Sequence, residues 1–264
     1  MKRITSLLAT LAVATSLTFT SVTAHAETAL DRILSAKKIV IGVQNDVPPY
    51  SQIGADNQVE GMDIDIAKAI AKDLGVKLEM VTVSGSNRIP MLTSGRADMI
   101  IATVGINPQR AAAVALSIPY TAFPMVLIAP KDKKIGSYAD TKGMVIGLTR
   151  GTMQDEIVSR NAPDATIRRY DDDATTIQAL ATNQIDATAF GTSVAEDLMK
   201  RFPNLNLEQK FNAFSVYAGI AVRRTDPDLL QWVNTWIFYN KNNGFLDEMH
   251  KKWLKTPLGS LPTY

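Results

Sequence analysis

Arg110 ends the run I-I-A-T-V-G-I-N-P-Q-R, Ile100 to Arg110. That run begins as a buried strand, passes through small residues that leave backbone exposed, and breaks at Pro108. No opposite charge lies near Arg110 in the chain, so its partner is distant protein or a ligand. A guanidinium grips a carboxylate in a two-pronged geometry that lysine does not copy. Gly151-Thr152-Met153 is the second group of this kind. A glycine that opens a helix lets backbone N–H groups point at an anion, although any Gly-Thr helix start has this form. An arginine and a helix N-terminus facing each other across a cleft would clamp one carboxylate.

The elements that must hold these residues follow from periodicity. Lys38–Val43 reads as a strand, with Asp46-Val47-Pro48-Pro49-Tyr50 a rigid loop after it. Asp63 reads as an N-cap to a helix that carries Ile66, Ile70 and Leu74 on one face and ends at Gly75. Strands over 76–83 and 98–102 flank a short helix over 88–94. After the polar break Lys131–Lys134 the rhythm returns: strands over 144–148, 165–170 and 185–190, helices over 152–160 and 172–182. Thr152 and Asp172 stand as N-caps. A last strand over 216–222 precedes a long helix over 227–240, whose Trp232 and Trp236 form a core stripe. The pattern predicts an α/β protein of two similar units with mostly parallel sheets and right-handed crossovers. In such sheets ligands gather at the carboxyl ends of the strands. The loops 44–50, 103–110, 149–153 and 191–193 are then the cleft.

Composition narrows the function classes. Met1-Lys2-Arg3, the apolar stretch Ile4–Val22 and Ala24-His25-Ala26 predict a signal peptide cut after Ala26, and hence export to the periplasm. No later run reaches the roughly 18 apolar residues of a spanning helix. Cleavage removes two of 28 basic residues and leaves 26 against 26 acidic ones, a neutral chain that gives nucleic acid no footing. His250 would be the one remaining histidine, and cysteine is absent. Zinc sites, thiol nucleophiles and Ser-His-Asp triads therefore lack their residues, and no metal or cofactor is called for. Asp63 and Asp65 serve a helix's first turn better than a metal, and Asp171-Asp172-Asp173 reads as a solvated helix start from which one acid could reach the cleft.

D-V-P-P-Y at 46–50, E-G-M-D-I-D-I-A-K-A-I-A-K-D-L-G-V at 60–76, R-I-P-M-L-T-S-G-R-A-D-M-I at 88–100, then Arg110 and S-I-P-Y at 117–120, come in order. With R-G-T at 150–152, N-Q-I-D-A at 183–187 and G-I-A-V-R at 219–223, the chain resembles the polar amino acid-binding proteins of ABC importers over nearly its whole length. The resemblance implies a type II periplasmic binding fold: two doubly wound α/β lobes joined by two hinge strands, with the ligand trapped between them. It implies lobe 1 at 27–125 and 220–264, lobe 2 at 126–219, and hinge crossings near Met125 and Ile220.

By the same resemblance Arg110 holds a ligand carboxylate. Thr103 and Gly105 belong to the preceding loop, Gly151, Thr152 and Met153 to the second lobe's helix start, and Asp46, Tyr50 and Met62 to the side-chain pocket. Phe190 is core or a pocket wall. The family's D-A-x-x-x-D aspartate, which meets the ligand's ammonium, is replaced by Gly191 in D-A-T-A-F-G. The family's Ser or Thr is Gly105, and its aromatic is Val47. The ligand then lacks a free α-ammonium or finds another acid, Asp46 or one of Asp171–Asp173. The preferred expectation is an amine that is absent, substituted or distant. The implied function is a monomeric periplasmic protein that carries a small carboxylate or amino acid to an inner-membrane ABC permease. The rival is a lyase on the same scaffold, resembling cyclohexadienyl dehydratase, with Asp46 as its general acid.

Overall fold

The computed structural model describes residues 27–262; the signal peptide expected over 1–26 lies outside them. The front part of the chain runs α1 (Ala29–Ala36), β1 (Lys38–Val43), β2 (Asp46–Val47), β3 (Ser51–Ile53), β4 (Val59–Glu60), α2 (Met62–Leu74), β5 (Lys77–Thr82) and α3 (Arg88–Thr93). It continues through β6 (Met99–Gly105), α4 (Pro108–Ala113), β7 (Ala115–Leu116) and β8 (Thr121–Pro130). The rear part holds β9 (Val145–Thr149), α5 (Met153–Asn161), β10 (Thr166–Tyr170), α6 (Asp173–Ala181), β11 (Ala187–Gly191) and α7 (Thr192–Arg201). Then β12 (Leu207–Val222), α8 (Pro227–Asn242) and α9 (Phe245–Trp253) close the described chain.

One sheet runs through the molecule in the order β10-β9-β11-β8-β12-β6-β1-β5, with β7 on β12, while β2, β3 and β4 form a small separate sheet. Both ends are parallel, β6-β1-β5 in front and β11-β9-β10 behind, as the alternation of strand and helix predicts. The middle is antiparallel. β8 and β12 pair from Thr121–Ala218 to Pro130–Leu207. The far end of β12 continues onto β6 through Ala218–Gly105 and Val222–Met99. β8 continues onto β11 through Met125–Gly191 and Ile128–Thr188. These two strands therefore leave the front sheet and enter the rear one within a few residues of each other.

Each half has its own apolar packing. Ile64, Ile66 and Ile70 of α2 lie fully buried with Ile41, Met99 and Ile101, at about 1.5–3 kcal/mol per side chain removed from water. Behind, Leu127, Ile146, Leu148 and Val158 form a second cluster. Gly75 ends α2 in the left-handed region at φ 67°, as its position predicts. Trp236 is core, set edge-on to Phe245 with its indole N–H donating to Asp73 at 2.7 Å. The N-cap expectation for Asp63 is corrected: the cap is Gly61, at φ 135°. Met62 and Asp63 donate their N–H groups to the carbonyls of Pro49 and Tyr50, which folds the helix start back onto the β2–β3 turn. A Cβ at residue 61 would sit 2.3 Å from the Tyr50 carbonyl oxygen, so only glycine lets the backbones come this close.

Candidate functional site

Where the two halves meet, they enclose a cavity of about 40 Å³. Its first wall is the end of β6. Thr103 sits at φ 46°, a left-handed conformation that costs a β-branched residue of order 1–3 kcal/mol. Asp63 and Tyr120 hold it there: the Thr103 N–H donates to Asp63 Oδ2 and to the Tyr120 hydroxyl oxygen, each at 3.2 Å. Tyr120 in turn donates to Asp63 Oδ1 at 2.8 Å. Burial pushes the Asp63 carboxyl up to about 7 against these hydrogen bonds. A carboxylate read as a helix cap is in fact the buttress of the left-handed turn at Thr103.

Arg110 follows one turn later. Asn107 caps α4 by accepting the Arg110 N–H at 2.7 Å, with Pro108 at the first helical position. The guanidinium spans the seam. Nη1 donates to the Gly105 carbonyl at 2.8 Å and Nη2 to the Gly151 carbonyl across the cleft at 3.0 Å. Among the described residues no carboxylate comes within ion-pair distance of it. Burial, with the neighbouring Arg88 charge next, lowers its pKa to about 9. The glycine at 105 has a local cause: a Cβ there would lie 2.6 Å from Met153 Sδ and 3.1 Å from Arg110 Nη1.

On the facing side Thr152 caps α5, accepting the Asp155 N–H at 3.3 Å while its own hydroxyl donates to the Thr149 carbonyl at 2.6 Å. Gly151 before it is left-handed at φ 72°. Next to it lies the start of α6. Asp172 caps that helix at 2.7 Å from the Thr175 N–H, and Asp171 points outward to Arg150. Asp173, the helix's first residue, is buried at 5% exposure, lines the cavity and receives the Thr149 hydroxyl on Oδ1. Burial, reinforced by the charge of Asp46, pushes its carboxyl up to about 7. The remaining wall is apolar at Tyr50 and Phe123, with ring centroids 5.2 Å apart, and at Met125, Phe190, Val194 and Val216, and polar at Gln44, Arg88 and Gln154.

Of the residues picked from sequence, Tyr50, Thr103, Arg110, Thr152, Met153, Phe190 and Gly191 line this cavity. Gly105 and Gly151 face Arg110 through their carbonyls instead. Met62 does not reach it: the folded-back helix start turns it into the core, fully buried. Asp46 does not line it either. Its Oδ2 accepts the N–H groups of Asp173 and Ala174, at 3.2 and 3.3 Å, and so bridges the two halves. Ser86 to the Asp171 carbonyl at 3.0 Å and Asn107 to Glu156 at 2.9 Å bridge them too. Sequence reasoning missed Gln44, Arg88, Phe123 and Gln154 as lining residues. Arg88 had registered only as a helix start; its buried guanidinium donates to the Ala102 carbonyl at 2.6 Å.

The sequence model of the bacterial extracellular solute-binding proteins, family 3, matches residues 39–256. The chain belongs to this family. It is 30% identical to the L-cystine-binding protein TcyJ of Escherichia coli (strain K12), with 85% of each chain covered. It superposes on a mutant of ArgBP from T. maritima with a TM-score of 0.81, at 29% identity over 86% of this chain and 100% of that one. It also superposes on an ancestral amino acid-binding protein, AncCDT-1, described as a precursor of cyclohexadienyl dehydratase, with a TM-score of 0.77 and 30% identity over 86% of this chain and 99% of that one. The two halves of the sheet are thus the two lobes of a periplasmic binding fold. The named relatives are binding proteins, and this solute-binding protein is not an enzyme.

Proposed function

We propose that this solute-binding protein is the periplasmic component of an ABC importer. It captures a small carboxylate, an amino acid or a close relative, by closing its two lobes, and presents the closed form to an inner-membrane permease. The chain acts as a monomer after its signal peptide is cut at Ala26. The observation that supports this best is Arg110. It is a half-buried cation at the lobe seam whose hydrogen bonds go to two neutral carbonyls, one from each lobe, while the Glu156 carboxylate acts on it only from beyond ion-pair distance. A ligand carboxylate supplies the missing countercharge, and because the guanidinium bonds both lobes, binding and closure are coupled. The 40 Å³ cavity of the closed form admits a solute only when the lobes part. The register of β8 and β12 supports hinge crossings over 121–124 and 215–218, within a few residues of the expected Met125 and Ile220.

The test is a binding screen of amino acids and small carboxylates by calorimetry, repeated on Arg110→Ala. Removing one member of a desolvated charge pair costs roughly 3–5 kcal/mol, so affinity should fall by a hundredfold or more with the circular dichroism unchanged. Small-angle scattering should show ligand reducing the radius of gyration of the open form. Binding by Arg110→Ala within about threefold of wild type would overturn the assignment.

A further inference from the structure

We propose that Asp173 is the residue that selects for a charged amine on the ligand, so that the solute is a zwitterion with its carboxylate on Arg110 and its ammonium on Asp173. This rests on the carboxylate-binding role given to Arg110 above and adds the second half of the ligand's chemistry.

The argument is one of unmatched charge. Asp173 is buried and borders the cavity, yet only its Oδ1 is engaged, by Thr149. Among the described residues no hydrogen bond reaches Oδ2, and no lysine or arginine comes within ion-pair distance of the carboxylate. Arg88, the other buried cation on the cavity, donates to the Ala102 carbonyl instead. A buried carboxylate with one idle oxygen costs several kcal/mol unless something cationic completes it. The Arg88 charge acts on it without contact, while Asp46 faces it from the other lobe and Asp172 precedes it, so three acids outnumber one guanidinium at this end of the cavity. The end at Arg110 is positive. A cavity polarised in this way suits a small molecule with a charge of each sign.

Gly191 makes the assignment specific to Asp173. A Cβ at that position would meet the Phe123 ring at 3.1 and 3.4 Å and Met125 Sδ at 3.9 Å, so that wall is apolar and offers an amine nothing. The sequence alone favours a ligand without a free α-ammonium, because it shows the missing acid at 191 and leaves open which of Asp46 and Asp171–Asp173, if any, reaches the cleft. The fold brings an acid from another element into the same cavity. Burial and the Asp46 charge push the Asp173 carboxyl up to about 7 against the Thr149 hydrogen bond and the Arg88 charge, and an ammonium beside it would keep it ionised.

The experiment is a calorimetric competition on the full-length mature protein. The proteinogenic L-amino acids and L-cystine are each compared with the acid that lacks the α-amine, on wild type and on Asp173→Asn. Wild type should bind at least one amino acid about tenfold or more tighter than its deaminated partner. Asp173→Asn should lose about tenfold or more for that amino acid while the deaminated acid changes less than about threefold. Asp173→Asn retaining the preference for the amine would overturn the proposal, and so would a wild type that prefers the deaminated acid. If Asp173→Asn fails to fold, Asp173→Ser goes through the same comparison and is read by the same two criteria. A wild type that binds no carboxylate at all overturns the Arg110 reading as well, which separates the two failures.

Discussion

Asp63 and Asp173 occupy matching places in the two lobes: both are buried aspartates in the first turn of a helix, and burial pushes both up to about 7. Their partners differ. Asp63 has both oxygens taken within its own lobe, by the Tyr120 hydroxyl and the Thr103 N–H. Asp173 has one oxygen taken and one without a hydrogen bond, with the other lobe's Asp46 accepting from its backbone N–H. A strongly perturbed carboxyl is therefore not by itself the mark of a ligand site. What separates the two is that the protein completes the hydrogen bonding of Asp63, whereas Asp173 lines the cavity with one oxygen unbonded. On the proposed binding site, Asp63 would act only indirectly, through the left-handed Thr103 it holds in place.

The largest effect should come from breaking the completed site. Asp63→Ala leaves the buried Tyr120 hydroxyl and the Thr103 N–H without their acceptor, at roughly 2–5 kcal/mol for the pair. The melting temperature should fall by about 5–15 °C. Asp173→Asn should cost under about 1 kcal/mol, because its lost partner is a single hydroxyl and the strain of an idle buried carboxylate goes with it. Thermal unfolding of both variants without ligand tests the contrast. Equal losses would erase it.

The contrast also marks what could be read from sequence. The α/β repeat, the caps Thr152 and Asp172, the Gly75 stop and Arg110 were all legible, because each is set by a local pattern or by a charge without a neighbour. The hinge strands were legible only in part, as the last strand over 216–222. Pro124 interrupts the alternation of β8, and β12 before that stretch carries Lys210, Asn212 and Ser215 among its apolar residues, so neither segment resembles a buried strand. Asp63 looked like a cap because D-I-D before an apolar helix usually is one; that Gly61 folds the helix start backward is a tertiary fact. Asp173 was visible only as one of three acids in a row, and nothing local says which of them the fold turns inward. Arg88 and Phe123 reach the cavity through chain crossings that no short motif encodes.

A second, smaller effect concerns pH. Both carboxyls bind protons more tightly in the folded protein than in the unfolded chain, where they titrate near 4. Between about pH 4 and 7 the folded state holds more protons, so stability falls as pH rises through that window and levels off on either side. Each group contributes a slope of at most about 1.4 kcal/mol per pH unit. Asp63→Asn should flatten the profile whether or not ligand is present. Asp173→Asn should flatten it only without ligand, because an ammonium on Asp173 removes that group's share in the wild type. Melting temperatures over pH 4–8, with and without a saturating amino acid, measure this; a ligand that leaves the wild-type slope untouched contradicts the distinction between the two acids.

The smallest effect is expected at Asp46, which links the two lobes without lining the cavity. Its carboxylate sits at the N-terminus of α6, where a negative charge is worth about 0.3–1 kcal/mol. Asp46→Asn keeps an oxygen that accepts from the Asp173 and Ala174 N–H groups but gives up that charge. Closure should weaken slightly, and ligand affinity should drop by about two- to fivefold, far less than for Arg110→Ala. The same substitution removes the second cause of the raised Asp173 pKa, so the carboxyl should titrate lower. An Asp46→Asn variant should therefore bind its ligand somewhat more weakly at neutral pH yet retain affinity to a lower pH than wild type. Calorimetry across pH 5–8 reads both changes at once. A variant whose pH midpoint stays where the wild type's is would show that Asp46 and Asp173 do not feel each other across the cleft, and the negative end of the cavity would then rest on Asp173 alone.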